Sequence, residues 1–313
     1  MLLPGVPALG GELVGNTFGI ICHGGAGVLR DPEAAAAGLG EALRASYALL
    51  RQSGAAVDAV VEAVRVMEDN PLFNCGTGSA PTYDGRTEMD AAVMTQTGEF
   101  GGVLAISRVR NPVLVARKVM TETDHHLLAG EGAVGFARKC GFEDHDPMTE
   151  GARERLARLL AAGESPFFSL EKVRKYGTVG AVAIDRRGRL AVATSTGGIT
   201  GRLAGRVGDS GIPGAGTWAA PSGAVSCTGH GEAILRLMLA RDIADRMKTM
   251  PASVAMTLAL AEARRRKFEV GAVGMDARAG FAFGHTTPDM SYGYMIAERL
   301  FLFTDGKDRK KAT

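Results

Sequence analysis

Thr178 follows Gly177 and opens an apolar run, Thr178-Val179-Gly180-Ala181-Val182-Ala183-Ile184-Asp185, that reads as a β-strand. A threonine at a strand start ordinarily reflects β-propensity and nothing more. The charged stretch before it, Asp144 to Lys175, allows a second reading. If the chain is cut before Thr178, the freed α-amino group lies within reach of Oγ1 of the same residue and serves as its base. An α-amino group has a pKa of about 7.7–8.0, so a useful fraction is neutral at working pH. No histidine triad is then needed. Gly177 has no side chain to crowd the bond to be cut.

Glycine-rich motifs follow in order. They are Ala193-Thr194-Ser195-Thr196-Gly197-Gly198, Gly205-Arg206-Val207-Gly208-Asp209-Ser210, Gly214-Ala215-Gly216-Thr217-Trp218-Ala219 and Val225-Ser226-Cys227-Thr228-Gly229-His230-Gly231-Glu232. Near the start stands His23-Gly24-Gly25-Ala26-Gly27. Together these closely resemble the plant-type asparaginase and isoaspartyl peptidase family, from about Gly19 to Phe303. Five motifs in the right order are specific; one glycine-rich piece alone is not.

The resemblance implies an α+β fold, a four-layer αββα sandwich of the N-terminal-nucleophile hydrolase type. It implies self-cleavage between Gly177 and Thr178 into an α subunit (18–177) and a β subunit (178–313) that together form one domain. Thr178 takes the nucleophile's place, and Thr196 matches the threonine that hydrogen-bonds it. Thr228 and Gly229 match the oxyanion-hole donors, and Asn74 an active-site asparagine. Arg206 and Asp209, with Gly231, match the substrate-binding residues. The stretch Met67 to Thr77 matches a loop that holds a structural Na+ through the carbonyls of Met67, Glu68, Asn70, Phe73, Cys75 and Thr77. The implied reaction is hydrolysis of L-asparagine or β-aspartyl dipeptides, by a homodimer of cleaved units. No cofactor is expected for catalysis.

Elementary chemistry supports this independently. A zwitterionic amino-acid head needs one cationic and one anionic partner. Arg206 offers a planar fork for a carboxylate, and Asp209 a charge for an ammonium. The plainer reading is a surface ion pair, which is worth little. Acyl transfer develops an oxyanion, and each donor aimed at it is worth about 2.7–4 kcal/mol. The Thr228 hydroxyl and Gly229 N–H could supply two; the plainer reading is a strand-end turn. His230 reads as structural, and His23 as either structural or supporting. His125 and His126 read as structural or exposed, and Asp90 as a buried carboxylate without an assigned role. Gly211 stands where family members often carry proline.

These residues need a scaffold. Phe18 to Cys22 reads as a buried strand that ends in the His23-Gly24-Gly25 turn. Helices are expected over Ala34–Leu50, Ala56–Met67, Pro112–Met120, Gly130–Lys139, Glu232–Lys248 and Val254–Arg266. Strands are expected over Thr87–Thr95, Gly101–Ser107, Leu190–Thr194, Val270–Met275, Gly280–Gly284 and Leu300–Phe303. Residues 144–177 read as an exposed linker with one helical piece, Arg153–Ala161.

The 313 residues suffice for a sizeable core, and a net charge of +2 gives no footing for nucleic acid. Four widely spaced cysteines read as reduced thiols of a cytoplasmic protein. Residues 1–17 read as a flexible extension, since Pro and Gly interrupt their apolar stretch. No stretch looks long and apolar enough to span a bilayer. Alternatives are a glycosylasparaginase-type amidase, a threonine endopeptidase and an inert relative. The glycine spacing fits neither nucleotide-binding fingerprint.

Overall fold

The computed structural model describes residues 18–27, 31–163, 177–304 and, for backbone only, 307–309. The expected N-terminal extension and the second half of the linker lie outside them.

The described residues form a mixed α+β structure. Its strands are β1 (Gly19–Gly27), β2 (Met89–Thr95), β3 (Phe100–Ile106), β4 (Leu127–Ala129), β5 (Thr178–Ile184), β6 (Leu190–Thr196), β7 (Thr217–Ala220), β8 (Gly223–Gly229), β9 (Val270–Asp276), β10 (Phe281–His285), β11 (Asp289–Ile296), β12 (Arg299–Thr304) and β13 (Lys307–Arg309). Its helices are α1 (Pro32–Arg51), α2 (Ala56–Asp69), α3 (Pro112–Glu122), α4 (Gly130–Lys139), α5 (Glu150–Ala161), α6 (Gly231–Leu237), α7 (Leu239–Arg246) and α8 (Ala252–Arg265). Among the described residues one sheet runs β13-β12-β11-β1-β5-β6-β2-β3-β4, and a second runs β10-β9-β8-β7.

Three hydrophobic cores separate these parts. One lies between α1, α2 and α3 and a face of the large sheet, and includes Leu39, Leu43, Val64, Val115 and Val179. The second lies between the sheets, where Ile21, Val182 and Val192 meet Val273 and Phe283. The third lies between the small sheet and α7 and α8, around Val225, Ile243 and Leu260. Strand β5 is therefore buried along its whole length on both faces. That explains its near-continuous apolar sequence, where a half-exposed strand would alternate.

Carboxylates from other elements tie several helix starts to the scaffold. Asp185, just after β5, accepts the Ala56 N–H of α2 at 3.2 Å. Glu68, near the end of α2, accepts the Val113 N–H of α3 at 3.0 Å, and Asp276 accepts the Ala252 N–H of α8 at 2.9 Å. Each satisfies a donor that has no partner within its own helix, at the end where negative charge is favoured.

The sequence reading differs in several places. The first strand does not stop at Cys22 but continues through Gly27, because pairing with β11 absorbs the glycines in a bulge between His23 and Gly25. Strands β4, β7, β8, β11 and β13 have no counterpart in the sequence reading. The helix expected over Glu232–Lys248 is broken at Met238, which has φ 47°. There the N–H groups of Ala240 and Arg241 bond to the carbonyls of Ala215 and Gly214, so the chain turns away from the first helix axis. Finally, the front of the linker is docked. Gly78 N–H donates to Pro147 O at 2.9 Å, and Thr77 Oγ1 contacts His145 Nε2 at 3.1 Å.

Between the sheets lies a buried polar chain. Thr194 Oγ1 meets Ser226 Oγ at 2.8 Å, and Ser226 Oγ meets His23 Nε2 at 2.9 Å. Burial lowers the His23 pKa to about 3, so the ring is neutral and acts as a structural link. Gly180 makes room for it. A Cβ there would overlap the Ser226 hydroxyl and lie 2.6 Å from His23 Nε2. Gly180→Ala is therefore expected to cost about 1–3 kcal/mol through overpacking. Thermal unfolding checks this, and an unchanged midpoint would refute the tight fit.

Candidate active site

Strands β5 and β6 pair so that Thr178 lies opposite Thr196. The Thr178 hydroxyl donates to Thr196 Oγ1 at 3.1 Å. Thr196 Oγ1 also accepts the Gly198 N–H at 3.0 Å, and its own hydroxyl lies 3.5 Å from the Gly177 carbonyl oxygen. The hydroxyls of Thr178 and Thr196 thus run toward the carbonyl preceding Thr178. Both residues are buried.

Asn74 braces the same turn. Its Nδ2 donates to Gly198 O at 2.6 Å, its Oδ1 accepts the Ala80 N–H at 2.8 Å, and its carbonyl accepts the Gly197 N–H at 2.7 Å. From below, the buried Arg202 guanidinium donates to the carbonyls of Gly197 and Glu88. Gly177 is held between Asn74 and Gly25. A Cβ on Gly177 would lie 2.9 Å from Asn74 Cβ, and one on Gly25 would lie 3.0 Å from Gly177 Cα.

A small cavity opens beside Thr178, lined among others by Thr196, Arg206, Asp209, Gly229 and Gly231. At Gly231 a Cβ would lie 2.8 Å from Arg206 Nη2 and 2.9 Å from Asp209 Oδ1, so any side chain there would fill the space between the two charged groups. Arg206 does not pair with Asp209. Its Nε and Nη2 donate to the two Glu232 oxygens at 2.9 and 2.8 Å. Burial pushes the Glu232 carboxyl up, but hydrogen bonds from His230 and Arg206, with the Arg206 charge, outweigh that and hold it at about 2. Asp209 is the opposite case. Burial pushes its pKa up to about 7, and its buried Oδ2 has no hydrogen-bond partner. Thr228 is fully buried beside Gly229, and its oxygen accepts the Ala26 N–H at 3.2 Å, which leaves its proton free to donate.

The named Na+-loop carbonyls lie on the turn from the end of α2 to Thr77. Those of Met67, Glu68 and Asn70 accept N–H groups of Asn70, Thr77 and Phe73, so the loop folds back on itself. His125 and His126 are exposed and remote from the cavity. Cys22, Cys75 and Cys227 are buried free thiols, and Cys140 is half-buried.

Comparison with known proteins fits this geometry. The asparaginase family model matches residues 16–302. The chain belongs to the asparaginase family. It is 44% identical over 293 residues to the plant-type L-asparaginase of Pyrococcus horikoshii, covering 88% of this chain and 95% of that one. It is 43% identical over 262 residues to the isoaspartyl peptidase/L-asparaginase of Danio rerio, covering 81% and 84%. It is 43% identical over 249 residues to the isoaspartyl peptidase of Salmonella typhimurium, covering 74% and 80%.

Three features of this asparaginase-family site were not read from sequence. They are the Glu232 grip on Arg206, the Arg202 clamp and the Glu68 side chain. Glu68 is fully buried, accepts the Ser195 hydroxyl at 2.6 Å, and is pushed by burial to a pKa of about 8. Only the adjacency of Glu232 to the Thr228-Gly229 motif gave a signal.

Asp209 makes stability depend on pH. Its carboxyl ionises near 3.8 when unperturbed and near about 7 in the fold, so the folded state holds the extra proton between those values. Stability is then lost as pH rises through that window. Asp209→Asn has no such loss. Its stability relative to wild type should rise between about pH 4 and about pH 7 and then level off. Denaturant unfolding across that range checks this; a difference independent of pH would show that Asp209 is already ionised.

Proposed function

We propose that this asparaginase-family hydrolase cuts its own chain before Thr178 and then uses Thr178 to hydrolyse L-asparagine and β-aspartyl dipeptides. The observation that carries the reading is the run of hydroxyls from Thr178 through Thr196 toward Gly177 O. Thr178 Oγ1 attacks the Gly177 carbonyl carbon as its proton passes to Thr196, and Thr196 gives its own proton to the carbonyl oxygen. The C–N bond then breaks as the carbonyl re-forms and its proton passes to the Thr178 nitrogen, leaving a free amine and an ester that water hydrolyses. Asn74 and Gly25 hold Gly177 in place for this step.

In the cut protein the freed amine of Thr178 is the base. Oγ1 attacks the side-chain amide of the substrate, the Thr228 hydroxyl and Gly229 N–H stabilise the oxyanion, and ammonia or an amino acid leaves. Water then releases aspartate from the β-aspartyl ester. Arg206 receives the substrate's α-carboxylate and Asp209 its α-ammonium, with Gly231 leaving room between them. Asp209 suits that role because a buried carboxylate without a partner gains most from an arriving cation. The relatives' names, plant-type L-asparaginase and isoaspartyl peptidase, support both substrate types.

The stacked cores support the four-layer αββα sandwich, with the α subunit over residues 18–177 and the β subunit over 178–313 sharing one domain. A homodimer of cleaved units in the cytoplasm completes the reading. The free cysteines are in keeping with that compartment, and among the described residues no helix is long and apolar enough to cross a membrane.

Thr178→Ala should remain a single chain of full mass without asparaginase activity. Wild type should resolve into fragments of residues 1–177 and 178–313 and release ammonia from L-asparagine. A Thr178→Ala protein that is cut and active would sink the scheme.

The Na+ proposal fits the loop. The carbonyls of Met67, Glu68 and Asn70 each keep a second lone pair beside the N–H they accept, and neutral oxygens suit a hard monovalent ion. Phe73, Cys75 and Thr77 would supply the remaining carbonyls. A bound ion stabilises the state that binds it. Unfolding in NaCl should therefore have a higher midpoint than in choline chloride of equal ionic strength. Equal midpoints would remove Na+ from the description.

A further inference from the structure

Asp90 lies one strand beyond the threonine pair. Register places it opposite Thr196, as Thr196 is opposite Thr178. It is 1% exposed, yet its carboxylate touches none of the groups assigned to the chemistry. Its Oδ1 accepts the Ala105 N–H at 2.8 Å, where β3 bulges and Ala105 takes φ 47°. Its Oδ2 accepts the Gly208 N–H at 3.1 Å. Gly208 lies between Arg206 and Asp209, the two residues read above as grasping the substrate's head. Two residues earlier, half-buried Glu88 accepts the Gly205 N–H at 2.7 Å through Oε2. Glu88, just before β2, and Asp90 within it thus hold both ends of the Gly205–Gly208 segment. Arg202 sits beneath, electrostatically favoured by both Asp90 and Glu88.

We propose that Asp90 is a positioning residue for substrate affinity, fixing through the Gly208 N–H the placement of Arg206 and Asp209 while taking no part in self-cleavage. The proposal rests on the reading of Arg206 and Asp209 as the head-binding pair. Geometry and charge predict opposite signs for its removal. The Asp90 charge is one of the influences that raise the Asp209 pKa. A purely electrostatic role would therefore let Asp209 ionise more readily without it and would lower KM for an ammonium-bearing substrate. A positioning role raises KM, because the N–H of Gly208 loses a charged acceptor and the loop its anchor.

The test uses full-length wild type, Asp90→Asn and Glu88→Gln. Intact mass reads cleavage at Gly177–Thr178, and steady-state L-asparagine hydrolysis gives kcat and KM. Asp90→Asn should be cut like wild type, raise KM about tenfold and leave kcat within about twofold. Glu88→Gln, at a less buried position, should shift KM the same way by a few-fold and serves if Asp90→Asn does not fold. A folded Asp90→Asn that stays uncut overturns the proposal. So does an unchanged or lowered KM, or a fall in kcat alone. If neither variant raises KM, the anchor does not exist. Wild type without activity on L-asparagine would instead fail the functional reading, a separate result.

Discussion

The antiparallel register of β5, β6 and β2 is the constraint from which the site is built. It sets Thr178, Thr196 and Asp90 side by side across three strands. The backbone ladder fixes their spacing before any side chain makes a contact. A slip of one residue would turn all three to the opposite face. Gly180 guards against that slip in β5, since a side chain in its place would overlap Ser226 and His23. The loops carrying Asn74, Arg206 and Gly229 then need only reach the end of an already ordered row.

Buried polar groups around this row divide into the satisfied and the exposed to strain. His23, Ser226 and Thr194 link the sheets as neutral partners, and Asp185 and Asp276 join helices to strands. Such groups tie down the layers that hold the register. Asp209 lines the cavity beside Thr178 with one of its oxygens buried without a partner. Leaving a carboxylate in that state is unfavourable for the empty protein. The proposed ammonium of the substrate would relieve it.

Much of this was legible in sequence because the motifs are local. Thr178, Thr196, Arg206, Asp209 and Gly231 could be marked from short glycine-rich strings, and the cavity brings those five together. Most helices could be placed from apolar periodicity within a few residues. What escaped depends on contacts distant along the chain. The break at Met238 arises from carbonyls of residues 214 and 215, and the extension of β1 from pairing with β11. The Arg206 partner escaped for a related reason. Glu232 lies 26 residues further along the chain, and only the fold brings its carboxylate to the guanidinium. Glu68 was visible only as a carbonyl donor, because nothing in its surroundings announces a buried side chain reaching Ser195.

The Arg206–Glu232 pair has a bearing on which anions this protein tolerates. The guanidinium already has a tenant, a carboxylate tethered close by and therefore present at a high effective concentration. A free inorganic anion that reaches for the Nε–Nη2 edge meets that tenant, which is held by two hydrogen bonds. On the proposed reading of Arg206 and Asp209 as the head-binding pair, a ligand that also carries an ammonium for Asp209 would be held at two points, so its carboxylate too would act as a local one. On that reading the resident Arg206–Glu232 pair would work as a filter that favours zwitterions over simple anions.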